Sequence, residues 1–206
     1  MKAIYGCIES GKLWYDTLSA KLIANGYIQN PYDKCIFNKW HEIEGVQSTI
    51  GIHVDDCFIS CAIPQVCESI VEWFGDEFED VTITRSSVHQ YTGMTLDFSH
   101  PNKLYVTMGH HIKELIENNK ITAKAVSPST SDLFRIDAQS PVLSEDKRDK
   151  FHSIVATASY IAKRIKPECL VVTSMLASRV HCSTEQDWDK LQRLLAYINA
   201  TQDLPL

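Results

Sequence analysis

Long apolar runs are missing from this sequence: nowhere in its 206 residues does a stretch approach the roughly 20 apolar residues that a bilayer-spanning helix needs. Met1-Lys2 is followed by Ala3-Ile4-Tyr5-Gly6, which lacks the apolar length of a secretory signal. The expectation is a soluble intracellular chain with no membrane partner. Paired cysteines are missing as well. The seven cysteines stand at positions 7, 35, 57, 61, 67, 169 and 182, and none forms Cys-x-x-Cys. A tetrahedral zinc site draws its thiolates from closely spaced pairs, so this spacing argues against one. His110-His111 is no substitute, because adjacent side chains on a helix diverge by about 100°. These cysteines read instead as small apolar residues of a reducing compartment.

An excess of basic residues is the third absence. Twenty Lys and Arg against 26 Asp and Glu leave a formal charge of −6, which argues against a broad phosphate-binding surface. The basic residues are nevertheless grouped: Lys163, Arg164 and Lys166 fall in one short segment, with Arg179 and Arg193 beyond it. What the chain does have is an ordinary globular balance, 44% hydrophobic and 22% charged, so a folded core is the default.

Residues 9–25 carry Leu13, Trp14, Leu18 and Leu22 at helical spacing, with Gly26 as the stop. Two β-rich runs, 48–54 and 57–61, flank Asp55-Asp56, which predicts a hairpin with the two acids at its tip. A polar turn near Glu44-Gly45 separates the first of these from an earlier strand at 35–37. Residues 65–78 give a second helical stripe through Val66, Ile70, Trp73, Phe74 and Phe78. Short strands are expected at 82–84, 91–98 and 104–107, then a helix at 110–117 and a long Ser- and Pro-rich loop over 122–144. Helices at 145–165, 169–181 and 185–200 close the chain, the last capped by the Ser183-Thr184 hydroxyls. The order gives an α+β fold, with residues 1–108 as one part and 109–206 as a helical second part.

Adjacent carboxylates held in a tight turn at one end of a sheet can bind a hard cation such as Mg2+. Acids are also common solvated turn residues, so Asp55-Asp56 alone does not decide between the two.

The surrounding residues add a family resemblance. The block from Lys2 to Tyr15, Lys-Ala-Ile-Tyr-Gly-Cys-Ile-Glu-Ser-Gly-Lys-Leu-Trp-Tyr, resembles the template-gripping motif of copia-type retrotransposon reverse transcriptases. That motif runs roughly Lys-Ala-Leu-Tyr-Gly-Leu-Lys-Gln-Ser-Gly-Arg-Leu-Trp-Tyr. Tyr32-Asp33-Lys34-Cys35-Ile36-Phe37 is similar to the family's Tyr-Asp-Pro-Cys-Leu-Phe, and His53-Val54-Asp55-Asp56 to its catalytic Tyr-Val-Asp-Asp. Tyr91-Thr92-Gly93-Met94 resembles Phe-Leu-Gly-Met, and Ala162-Lys163-Arg164-Ile165-Lys166-Pro167-Glu168 lies in a region similar to Tyr-Leu-Ala-Lys-Arg-Thr-Arg-Pro-Asp. Leu194-Leu195-Ala196-Tyr197-Ile198 looks like the family's Leu-Arg-Tyr-Leu ending. All of these occur in family order.

The resemblance implies a partial reverse-transcriptase palm, an antiparallel sheet with helices, followed by thumb- or connection-like helices. It implies an RNA-directed DNA polymerase in which Asp55 and Asp56 are catalytic and bind Mg2+. Gly11, Tyr15, His53, Gly93, Lys163 and Arg164 would meet the template–primer, and the partners would be RNA or DNA template–primer and dNTP. The compartment would be cytoplasmic, in a particle, or nuclear.

Departures from the family pattern are Ile8 for a lysine, Glu9 for a glutamine, His53 for a tyrosine and Thr92 for an apolar residue. Glu9 exchanges an amide that can donate for a carboxylate that only accepts. The family's first catalytic aspartate, on an earlier strand, and its fingers have no counterpart here. The expectation is therefore a polymerase fragment inactive alone. The alternative is a non-catalytic remnant serving as a nucleic-acid or protein interaction module.

Overall fold

A computed structural model describes residues 8–78 and 81–206, and the chain divides into two units, 1–86 and 87–206. Residues Lys2 to Cys7, which open the first motif, lie outside the described residues. The fold is α+β, with two antiparallel sheets and six α-helices among the described residues. No described helix is long and apolar enough to cross a membrane.

In the first unit, helix α1 (Ile8–Ala24) buries Leu18 and Leu22 completely, as their one-turn spacing requires. Leu13, expected on the same stripe, is instead exposed. Gly26 ends the helix with φ of +86°, a left-handed conformation open to glycine. The Gly26 amide donates to the Ile23 carbonyl and the Tyr27 amide to that of Leu22, both at 3.0 Å, the paired bonds of a Schellman stop.

Strands β1 (Ile28–Gln29), β2 (Ile36–His41), β3 (Val46–His53) and β4 (Asp56–Cys61) then form one sheet in that order. Their register aligns Phe37, Ile50 and Ile59 across one face. That face packs with α1 and with Val66, Ile70 and Phe74 of α2 (Pro64–Glu77). Thr49 and Asn38 are paired on the opposite face, where the Thr49 hydroxyl donates to the Asn38 side-chain oxygen at 2.8 Å.

The strand expected at 82–84 does not form. Val81 and Ile83 are exposed, and β-branched side chains favour a strand only where a neighbour and a packed surface receive them. Arg85 instead reaches Glu68 of α2, its Nη2 lying 2.6 Å from the carboxylate.

The second unit starts with a three-stranded sheet, β5 (Val88–Tyr91), β6 (Met94–Asp97) and β7 (Tyr105–Thr107). Sequence reasoning placed these strands in the first part. In the structure Met94, Val106 and Met108 pack with the helical core of the second unit. Helices α3 (Gly109–Asn118), α4 (Glu145–Ile165), α5 (Leu170–Ala177) and α6 (Glu185–Ala200) supply that core. Phe151, Ile161, Leu176, Leu191 and Leu194 are fully buried within it.

Helix α5 ends four residues before the expected 181. Ser178 turns its hydroxyl onto the Met175 carbonyl at 2.7 Å, a local bond that competes with the helical ladder. Helix α6 starts as expected, in a capping box between Thr184 and the buried Asp187.

Candidate functional site: an acidic hairpin turn

The β3–β4 hairpin closes through two residues. His53 pairs with Asp56, leaving Val54 and Asp55 as the connection. Both acids therefore stand at one end of the sheet, but not equivalently. Asp55 is a turn residue, whereas Asp56 is the first residue of β4 rather than part of the tip. By strand alternation Asp56 shares a face with Phe58 and Ser60, while Cys57 belongs to the core-facing set with Ile59. His53, Val54, Asp55 and Asp56 are all exposed.

Val54 has φ of +56°. Two-residue hairpins commonly need positive φ at their first turn residue, where glycine is favoured. A β-branched residue there is strained by about 1–3 kcal/mol, so something else must hold the turn. Helix α1 provides a contact: the Trp14 indole Nε1 donates to the Val54 carbonyl at 3.0 Å. The indole is itself packed against Phe78, with ring centroids 5.1 Å apart.

Burial, and then the charges of Asp56 and Asp55, push the Cys57 thiol up to about 11. The thiol next to the acids thus stays protonated at neutral pH and adds no negative charge to the turn.

Gly11 is exposed on α1, one turn before Trp14, and among the described residues nothing beyond its own stretch of helix would lie within 4 Å of a Cβ placed there. Tyr15 is more committed. Its hydroxyl donates to the Lys34 carbonyl at 2.7 Å and accepts from Gln29 Nε2 at 2.8 Å, tying α1 to the β1–β2 connection.

The remaining candidates lie in the second unit. Thr92 and Gly93 form the two-residue turn between β5 and β6, with φ of +49° and +78°. Tyr160 of α4 donates its hydroxyl to the Thr92 carbonyl at 3.1 Å, and the Arg164 guanidinium lies 3.7 Å from the centre of the Tyr160 ring. Gly93 and Arg164 thus share one neighbour, Tyr160.

Lys163 is exposed. Lys166 departs from the expected solvated basic cluster. It is only 2% exposed, with its ammonium on the Thr201 carbonyl at 2.5 Å and the Leu204 carbonyl at 3.3 Å. Burial lowers its pKa from the usual lysine value. A chain turning sharply after α4 puts this lysine beneath the end of α6, so adjacency in sequence does not give one basic surface.

Sequence reasoning missed Trp14 and Tyr160 as neighbours of the two turns. Trp14 reads as core from its helical spacing, and nothing in the sequence pairs it with a residue 40 positions away.

As a cation site, the acidic turn offers two carboxylates. Among the described residues no group of three His, Cys, Asp or Glu gathers into a metal-binding set. Mg2+ is commonly held by one or two carboxylates with water and phosphate oxygens completing its shell, so the donor chemistry of Asp55 and Asp56 fits one such ion.

Comparison with known proteins finds similarity to retrotransposon polyproteins along the whole chain. It is 22% identical over 205 residues to the retrovirus-related Pol polyprotein from transposon RE2 of Arabidopsis thaliana, covering 98% of this chain. It is 23% identical over 203 residues to the corresponding RE1 protein of the same plant, covering 97%. It is 23% identical over 220 residues to the Ty1-ER2 Gag-Pol polyprotein of Saccharomyces cerevisiae, covering the whole chain. The chain spans 14%, 13% and 12% of the lengths of these curated relatives. No family model matches the chain, and no solved structure matches it. Homology along the full chain supports an origin in a copia-type retrotransposon polyprotein.

Proposed function

We propose that this chain is a piece of a reverse-transcriptase palm with the segment that follows it, and that its acidic turn is the metal-holding part of a nucleotidyl-transfer site. The observation that carries the reading is the two-residue β-hairpin with Asp55 in its turn and Asp56 beside it. Full-length similarity to Pol and Gag-Pol polyproteins supports it. Asp55 and Asp56 would hold Mg2+, which when bound supplies positive charge where a primer hydroxyl attacks and pyrophosphate departs.

The chain's own residues would have simpler tasks. Gly11 and Tyr15 would meet the template–primer from α1, and His53, paired with Asp56, would meet it beside the turn. Gly93, Lys163 and Arg164 would serve the template–primer from the second unit. The partners are an RNA or DNA template–primer and dNTP.

The turn carries two carboxylates, and among the described residues no third His, Cys, Asp or Glu gathers with them into a metal-binding group. Loss of one comparable electrostatic stabiliser costs about 10²–10³ in rate, so the chain by itself is expected not to extend a primer.

The test is fluorescence anisotropy with a labelled RNA–DNA template–primer, with and without Mg2+. Binding should strengthen with Mg2+ in the unaltered chain, and that gain should vanish in the Asp55→Ala, Asp56→Ala variant. A primer-extension assay alongside should show no product above the variant. Binding that ignores both Mg2+ and the two substitutions would contradict the metal role and favour a non-catalytic interaction module.

A further inference from the structure

The acidic turn has an unusual construction. Its four residues are exposed, its first turn residue is a valine with φ of +56°, and neither feature fixes its shape by packing. The hydrogen bond from Trp14 Nε1 to the Val54 oxygen reaches it from another element, at 3.0 Å and across 40 residues of sequence.

The donor is firmly held. The indole packs on Phe78 at 5.1 Å, Phe78 lies 6.0 Å from the buried Phe74, and the Lys21 ammonium sits 5.5 Å from the centre of the Phe78 ring. The acceptor is equally informative. Because the peptide is planar and trans, fixing the Val54 carbonyl also fixes the Asp55 N–H on the opposite side. It thereby sets the plane from which the Asp55 side chain departs.

We infer that Trp14 is a positioning residue for the acidic turn: its indole N–H fixes the Val54–Asp55 peptide plane, and through it the direction of the Asp55 carboxylate. Trp14 acts through the Val54 carbonyl and not on a reacting atom. The metal consequence rests on the reading of Asp55 and Asp56 as a cation site, whereas the bracing of the turn does not. Phenylalanine at this position would keep the stacking on Phe78 and lose the donor.

The experiment compares the unaltered chain with Trp14→Phe, Val54→Gly and the Trp14→Phe, Val54→Gly double variant. Mn2+ affinity is measured by water-proton relaxation, and hydrogen exchange is followed at the Asp56 amide, whose residue pairs with His53 across the turn. Chemical denaturation checks that each protein is folded.

Trp14→Phe should weaken Mn2+ binding about three- to tenfold and speed exchange at Asp56 by a similar factor, the size of one lost neutral hydrogen bond. The double variant should recover most of the affinity, because glycine accepts positive φ without strain and holds the turn unaided. A purely structural loss at Trp14 would not be repaired from position 54.

Unchanged Asp56 exchange in a folded Trp14→Phe protein overturns the inference. So does a loss of Mn2+ affinity that Val54→Gly fails to recover. Failure of the unaltered chain to bind Mn2+ at all, with Asp56 exchange still accelerated in Trp14→Phe, removes the metal reading and leaves the brace standing.

Discussion

A Cβ placed on Gly93 would stand 2.6 Å from the Tyr160 hydroxyl oxygen, closer than two such atoms can approach. The same glycine has φ of +78°, so both the backbone and the packing demand it. Tyr160 is held against the turn by its bond to the Thr92 carbonyl. Gly93→Ala should therefore destabilise the chain by about 1–3 kcal/mol in chemical denaturation. Tyr160→Phe removes the clashing oxygen, so the pair of substitutions should cost less than the sum of the two singles. Strict additivity would show that Tyr160 does not confine the turn.

Lys163 and Lys166 are three residues apart and should behave as different kinds of residue. Lys163 is exposed, and Lys166 is buried on two main-chain carbonyls. In template–primer binding measured across a salt series, Lys163→Ala should lower the slope of log affinity against log salt by about one. Lys166→Met should leave that slope unchanged while altering stability. Equal slope changes would mean that both ammonium groups meet phosphate.

Cys169 is fully buried, and burial with the adjacent Glu168 charge pushes its thiol up to about 12. Iodoacetamide at pH 8 should therefore label the exposed Cys35 and Cys182 in the native chain and spare Cys169 until denaturant is added. The pH dependence has a definite sign. A thiol whose folded pKa is raised favours the folded state fully below the unfolded thiol value. That contribution is lost as pH climbs from there towards about 12. Mass spectrometry of the labelled peptides reads the protection, and early labelling of Cys169 would contradict its placement.

Much of the architecture could be read from the residues because local signals and packing agree. Leu18 and Leu22 repeat at one helical turn and are buried, and Gly26 stops the helix in the conformation that glycine permits. The β-rich runs on either side of Asp55-Asp56 form the expected hairpin. What could not be read depends on contacts distant in sequence. The alternation at 82–84 suggests a strand, but a strand forms only against a partner. Lys166 looks like part of a basic helix end until the chain's return brings the carbonyls of Thr201 and Leu204 onto it. The positive φ of Val54 is invisible in a valine, and its brace from Trp14 is invisible in a helical stripe.

We propose that Asp55 and Asp56 together hold a divalent cation at the β3–β4 turn. The most direct measurement is an Mn2+ titration of the isotopically labelled chain, followed by paramagnetic broadening of its amide signals. Signals from residues 54–57 should broaden first, and the Asp55→Ala, Asp56→Ala variant should lose this effect. Broadening that begins elsewhere, or that persists unchanged in the variant, would contradict it.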